Sequence, residues 1–348
     1  MRANLRRIAA IAGTSHTTVS RALNNSPRVA PETRDRILAI ARELDYGIHA
    51  GARSLSTGLH QTVGVLYAYH RVRHIKSSFT FQLIQAIREE LAQKGFDTLI
   101  NGFAPRAPRD PRQTQGIGAG DDEVTRLIRQ RKVDGLLVIG YEIPDDVVRR
   151  ITSVTDNCLL VNPAHDDWAE HVSTVRVDHR HGGALAADAL LAAGCKRLST
   201  MGEVDPQHHE RLAGFRRRLA RTRQAAYDSD SHFLVPDLSY ENAYDTAIKN
   251  MDTLRGSDGV FAASDVCAAA VSNALQDAGR GVPEDIAVIG YDDVEWARFC
   301  RPSLTTIHQP VEEVAAVAAT ELVGRVVDAS RERCRRVFLP RLVRRGSC

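Results

Sequence analysis

Along the first 46 residues the apolar positions recur at helical spacing in three short groups. Leu5, Ile8, Ala9 and Ala12 share one face of a first helix, with Asn4 placed to cap it. Gly13 supplies a turn, Ser15 caps a second helix, and Val19, Ala22 and Leu23 form that helix's apolar face. Pro31 opens a third helix whose stripe is Ile37, Leu38, Ala41 and Leu44, and Gly47 stops it. Ala9 and Ala12 are small enough for the first two helices to cross steeply, so AGTSHTTVSRAL (12–23) has the spacing of a helix-turn-helix. Three such helices make a minimal core, marginal on its own.

Residues 48–60, IHAGARSLSTGLH, read as a linker with one helical turn at Ala50–Leu55, too short to be stable alone in water. From Thr62 the period changes. Apolar runs at 62–69, 97–100, 135–140, 158–161, 197–202, 259–263 and 286–290 have the length of buried strands. Helical segments at 80–94, 180–193, 210–222, 241–252 and 265–278 fall between most of them. This alternation predicts an α/β body of parallel sheets covered by helices on both faces. Its length is better served by two doubly wound sheets than by one. The stretch 104–120, APRAPRDPRQTQGIGAG, reads as an exposed, mobile loop.

Composition narrows the class. The 348 residues are 43% hydrophobic and 26% charged, as in a soluble globular protein, and no apolar run is long enough to span a bilayer. The Arg-rich start lacks the apolar core of an export signal, so a cytoplasmic location is expected. Cys158, Cys195, Cys267, Cys300, Cys334 and Cys348 form no CxxC pair, which predicts free thiols and no structural zinc. Of 46 Lys and Arg and 43 Asp and Glu, residues 1–60 hold nine and four, leaving 37 against 39 elsewhere. A basic head on a nearly neutral body points to a polyanion met by the head alone. GIGAG at 116–120 follows no strand, so it makes no dinucleotide site. His208 and His209 beside Glu210 lack ligand spacing and read as surface residues. The chain shows no catalytic constellation, metal site or cofactor motif, and it is not expected to be an enzyme.

The start of the second helix carries the candidate chemistry. Ser15, His16, Thr17 and Thr18 are short or planar hydrogen-bonding side chains, and Arg21 lies one turn further on the same face. A recognition helix entering the major groove needs this arrangement. Arg21 is suited to a bidentate pair with guanine, and His16 and Thr17 to neighbouring bases. Asn4, Ser15 and Arg28 are placed to hold phosphates.

TVSRALNNSPRVAPETRDRILAIARELDYG, followed by ARSLSTG, resembles the amino-terminal region of the lactose/galactose-repressor (LacI/GalR) family of bacterial transcription factors. The similarity continues through KVDGLLVIG (132–140), RLAGF (211–215), FAASD (261–265), VPEDIAVIGYDD (282–293), RPSLTTIHQP (301–310) and LVRRGS (342–347). It implies a helix-turn-helix domain at 1–47, a hinge at 48–60 and a body at 61–348 that binds effector and dimerises. That body would be periplasmic-binding-protein-like, with one subdomain from 61–162 plus 292–323 and the other from 163–291 plus 324–348. The family's chain crossings would then lie near 162, 292 and 323.

The resemblance also implies a homodimer on a pseudo-palindromic operator, without membrane partners. The hinge would fold on DNA, with Leu55 wedged into the minor groove and Arg53 of the same ARSL segment beside it. Such a wedge exchanges unstacking for a bend that lets more protein touch DNA. Carried over by position, the effector contacts are Phe79, Arg211, Asp292 and Leu238, the last aligned where relatives often carry a stacking aromatic. Arg211 and Asp292 facing each other across a cleft suit a sugar, whose hydroxyls both donate and accept. Asp265 reads as the cap of the helix after it. Where relatives have Asn/Asp-Pro-Phe-Phe, this chain has Ser77-Ser78-Phe79-Thr80, so effector identity does not transfer. The expected function is transcriptional regulation, as a repressor of sugar use. Its alternatives are a regulator answering to a nucleoside, purine or other non-sugar metabolite, or a solute-binding receptor.

Overall fold

The computed structural model describes residues 4–23, 26, 28–44, 46, 58–68, 79–103, 123–140, 143–163, 168, 170–203, 206–222, 224–227, 229–236 and 239–348. Gly47, the helical turn expected at Ala50–Leu55 and the 104–120 loop lie outside them.

The head is three helices, α1 (Leu5–Ile11), α2 (His16–Leu23) and α3 (Pro31–Glu43). Asn4 Oδ1 accepts from the Arg7 amide at 2.9 Å and starts α1. Gly13, at φ +60°, ends the turn after it, and the Thr14 amide reaches back to the Ala9 carbonyl at 3.0 Å. Ile8, Val19 and Ile37 are fully buried, and Ala9, Ala12, Ala22 and Ala41 fill the space between them. Each large side chain contributes about 2 kcal/mol of burial, while the alanines let the backbones close. Arg34 of α3 donates to the carbonyls of Ser26 (2.8 Å) and Val29 (3.3 Å), pinning the connection from α2.

The body divides between two six-stranded sheets. The first contains β1 (Thr62–Ala68), β2 (Asp97–Phe103), β3 (Gly135–Ile139), β4 (Cys158–Val161), β5 (Ser173–Val177) and β11 (Arg335–Phe338). The second contains β6 (Leu198–Glu203), β7 (His232–Val235), β8 (Gly259–Ala262), β9 (Ala287–Asp292), β10 (Thr305–His308) and β12 (Arg341–Val343). Their orders, β11-β5-β4-β3-β1-β2 and β12-β10-β9-β8-β6-β7, are the same pattern used twice. All neighbours run parallel except β12, which is antiparallel to β10. Helices α4 (Phe79–Gln93), α5 (Glu123–Arg129), α6 (Asp145–Thr152) and α12 (Val311–Val327) accompany the first sheet. Helices α7 (His179–Ala192), α8 (Pro206–Thr222), α9 (Tyr240–Lys249), α10 (Met251–Arg255) and α11 (Asp265–Asp277) accompany the second.

The chain crosses between the sheets at residue 178, at 309–310 and at 339–340, instead of near 162, 292 and 323. The amino-terminal subdomain therefore includes β5 and runs from α12 to β11 on its return, while β9 and β10 belong to the other. The displacement has a clear origin. β5 (STVRV) and β10 (TTIH) bury Ser173, Thr174, Thr305 and Thr306, so neither reads as an apolar run. Three of those hydroxyls are satisfied by partners far along the chain: Ser173 Oγ accepts from the Cys334 amide (3.0 Å), Thr305 donates to the Cys348 carbonyl (3.3 Å), and Thr306 donates to Asp265 (2.5 Å).

Helices α7 and α8 cross in close contact. A Cβ on Gly183 would stand 1.8 Å from the Arg211 carbonyl oxygen, and one on Gly214 1.9 Å from that of Arg180. Arg180 and Glu210 then close the pair with two hydrogen bonds of 2.5 and 2.7 Å. Gly214→Ala must push the helices apart and should lower stability by about 3 kcal/mol, read by chemical denaturation of the full chain. A loss below about 0.5 kcal/mol would mean that the crossing has slack.

Candidate functional site

On the head, packing decides which side of α2 is left free. Val19 and Ala22 turn inward, so His16, Thr17 and Arg21 are exposed, with Thr18 half-buried. The Ser15 hydroxyl accepts from the Thr18 amide at 3.1 Å and lies 2.9 Å from the Thr18 hydroxyl. Among the described residues none engages the side chains of His16, Thr17 or Arg21. A planar donor fork and two small hydrogen-bonding groups thus project from a rigid helix held by caps at its start. Asn4 and Ser15 cap their helices as the sequence predicts, the side-chain oxygen of each accepting from an amide three residues on. Arg28 is exposed in the connection between α2 and α3. Arg53 and Leu55 lie outside the described residues.

In the body, all three crossings leave the carboxyl end of a strand: β5, β10 and β11. Short connectors keep those ends together, and the Asp178 amide donates to the Phe338 carbonyl at 2.9 Å, joining the first crossing to the third. Ligands of open α/β sheets bind outside the carboxyl ends of strands. Arg211 and Asp292 meet there, with Arg211 Nη2 3.4 Å from Asp292 Oδ1. Arg211 is 3% exposed; its Nη1 donates to the Ala263 carbonyl, and its guanidinium lies 3.7 Å from the centre of the Tyr291 ring. Gln309, fully buried, donates to the same Asp292 oxygen at 2.8 Å. Arg211 and Asp292 do not face each other across the cleft, as the sequence suggested. Both come from the carboxyl-terminal subdomain, because α8 and β9 belong to one sheet.

Two buried polar atoms in this cluster, Arg211 Nε and Gln309 Oε1, have no hydrogen-bond partner among the described residues. One is a donor and the other an acceptor. Burial pushes the Asp292 carboxyl up to about 6, against the opposing pull of Arg211 and Gln309. Phe79, the first residue of α4, is half-buried against the core of the other subdomain. Leu238 lies outside the described residues.

Behind the pair, the structure corrects two further assignments. Ser264, not Asp265, caps α11, its hydroxyl accepting from the Cys267 amide at 3.2 Å. The fully buried Asp265 instead accepts from the Val294 amide (2.8 Å) and the Thr306 hydroxyl (2.5 Å), fixing the turn after β9. His208 is 5% exposed, so only His209 of that pair is on the surface. α8 begins earlier than expected, which carries His208 inward. Sequence reasoning missed Gln309 and Tyr291. The available signal was positional: a polar residue directly after a strand, as in IHQP, falls at the carboxyl edge where ligands bind.

The Asp292 shift has a measurable sign. Its folded value of about 6 lies above the unfolded carboxylate value, so the folded state takes up the proton first. The charged carboxyl costs stability above pH 6, and that cost is relieved as pH falls from 6 towards 4. The stability difference between the natural chain and Asp292→Asn should move by about 2–3 kcal/mol in favour of the natural chain over that window. Denaturation curves of both proteins at pH 7.5 and pH 4 test this; parallel curves would rule out the shift.

Comparison with known proteins gives this geometry its context. The chain matches the model for bacterial regulatory proteins of the lacI family over residues 4–47 and the periplasmic binding protein-like domain over residues 187–348. It is 30% identical over 352 residues to the HTH-type transcriptional repressor PurR of Klebsiella pneumoniae (strain 342), covering 99% of this chain and 96% of that one. The HTH-type transcriptional regulator CelR of Thermobifida fusca is 28% identical, with 99% and 98% covered. Among solved structures, a CelR–cellobiose complex aligns over 100% of both chains at TM-score 0.69 and 27% identity. The lac repressor dimer bound to operator and the anti-inducer ONPF shares the fold, at TM-score 0.78 and 21% identity over 100% and 99%. Among the described residues no helix is long and apolar enough to cross a membrane. With an exposed polar face on the second helix of the head and a buried Arg–Asp pair at the sheet ends of the body, this chain belongs to the LacI family of bacterial transcriptional regulators.

Proposed function

We propose that this regulator is a cytoplasmic homodimeric repressor that binds a two-fold symmetric operator and releases it when a sugar occupies the body. The observation that carries the effector reading is the half-satisfied pair. Arg211 Nε needs an acceptor and Gln309 Oε1 a donor, both buried at one place. A hydroxyl supplies both functions, and a pyranose presents several in a row. The relative CelR in complex with cellobiose supports the same class. Phe79 and Leu238 contribute apolar surface around the sugar. No enzymatic step is assigned to the site; the relatives are regulators.

Arg21, His16 and Thr17 read base edges in the major groove, with Arg21 on guanine. Asn4 through its amide nitrogen, Ser15, Thr18 and Arg28 hold phosphates at the groove's margins. The 48–60 segment folds on DNA, where Leu55 wedges into the minor groove with Arg53 beside it. Dimerisation has support on both subdomains. The free edge strands β2 and β7 occupy equivalent places in the two sheets and carry exposed Ile100 and Leu234. Phe81 on α4 and Ile248 on α9, the helices preceding and following those strands, are also exposed. A second copy covering this side would set two heads about one helical turn of DNA apart. Closure on sugar shifts the amino-terminal subdomain and the head beneath it, a coupling of about 1–3 kcal/mol.

Selection of the full chain on a pool of random duplexes should enrich a palindromic motif. Arg21→Ala should abolish the enrichment while leaving weak, salt-sensitive binding; a variant that still selected the motif would remove the base-reading role. A thermal-shift panel of neutral sugars and nucleosides, followed by operator binding with each stabilising compound, identifies the effector class. Arg211→Ala should lose that response, by at least about tenfold in effector affinity, with operator affinity kept. Stabilisation by nucleosides alone would replace the sugar reading.

A further inference from the structure

The first chain crossing is a single residue, and the helix after it starts at once. Asp178 caps α7 through its carboxylate, which accepts from the His181 amide at 2.9 Å. His179, the first residue of α7, is 4% exposed, and its Nδ1 lies 3.1 Å from the Tyr291 hydroxyl. The two rings are 5.8 Å apart and tilted by 51°. Tyr291 is fully buried next to Asp292, which takes a left-handed φ of 112°. Gly182 makes room for it, because a Cβ there would stand 2.3 Å from the Tyr291 oxygen. On its other side the Tyr291 ring carries the Arg211 guanidinium at 3.7 Å. One aromatic side chain therefore touches the start of the crossing helix with its hydroxyl and the buried arginine with its ring.

We infer that Tyr291 is a positioning residue that couples the place of Arg211 to the opening of the first crossing at 178–179. Its ring and the guanidinium move together, because the stack is desolvated and, among the described residues, Arg211 is otherwise held at its Nη atoms alone. The hydroxyl, seated against Gly182, then passes any displacement to His179, which is itself buried at the start of α7. Asp178 is also bonded to Phe338, so a shift at the first crossing reaches the third. Burial, followed by the nearby charge of Arg211, holds the His179 imidazole well below its ordinary range and neutral, so the contact with Tyr291 stays uncharged at physiological pH. The consequence for regulation rests on Arg211 contacting effector; the coupling itself does not, and its test needs no effector.

Hydrogen exchange of the full chain, at neutral pH and without ligand, provides that test. Tyr291→Phe keeps the ring and its stack but drops the hydroxyl. It should raise exchange of amides in 178–184 about fivefold, the size of one lost net hydrogen bond, while amides of β8 and α11 keep their protection. Arg211→Gln, or Arg211→Lys if the former is poorly folded, should also raise exchange at 178–184, but add little in the Tyr291→Phe background. That non-additivity distinguishes coupling from packing. The inference is overturned if exchange at 178–184 stays unchanged in Tyr291→Phe. It is equally overturned if protection falls together throughout the carboxyl-terminal subdomain, or if the two substitutions act additively.

Discussion

The body is organised by a geometric constraint: three connectors of one or two residues each leave the carboxyl end of a parallel strand. Connectors that short cannot span two sheets unless the strand ends already face one another. The arrangement therefore brings together, from two separately folded cores, the edge where side chains and amide groups point outward. It also keeps the crossings close, since the Asp178–Phe338 hydrogen bond holds two of them side by side. A sensor needs both properties, a gap of defined chemistry and crossings that stay together.

Charge burial sharpens that chemistry. Asp265 and Asp292 both have carboxyls raised by desolvation, yet their surroundings differ. Asp265 is enclosed by a backbone amide and a hydroxyl and holds the turn after β9 in place. Asp292 is shared by Arg211 and Gln309 and sits beside buried atoms still lacking partners. Neighbouring Asp293 goes the other way: burial would raise it, but His308 and Arg345 outweigh that and hold it below the usual carboxylate range. Three carboxylates in one short region thus serve as a brace, a contact and an anchor, because each meets a different set of donors.

Much of the head was legible from residues alone, since its caps, turn glycine and apolar stripe all act within a few positions of one another. The strand-helix alternation of the body was legible wherever strands were apolar throughout. It failed at β7, a four-residue strand (HFLV) too short to stand out, and at β5, β10, β11 and β12, where serine, threonine and arginine occupy strand positions whose satisfaction depends on distant partners such as Cys334 and Ser347. The crossings, placed by resemblance near 162, 292 and 323, set Arg211 and Asp292 on opposite lobes, which the strand pattern alone did not correct. The pairing itself was found through resemblance to a family, whereas Tyr291 and Gln309 needed the fold, because nothing local marks a buried tyrosine as lying between two others.

The glycine crossing of α7 and α8 has an outcome for how such a sensor can change over generations. Gly183 and Gly214 leave no gap between the helix that starts at the first crossing and the one that bears Arg211, so the two are packed as one unit. That contact lies inside the subdomain and takes nothing from the connectors at the strand ends. Residues at the rim can therefore vary without rebuilding the seam beneath them.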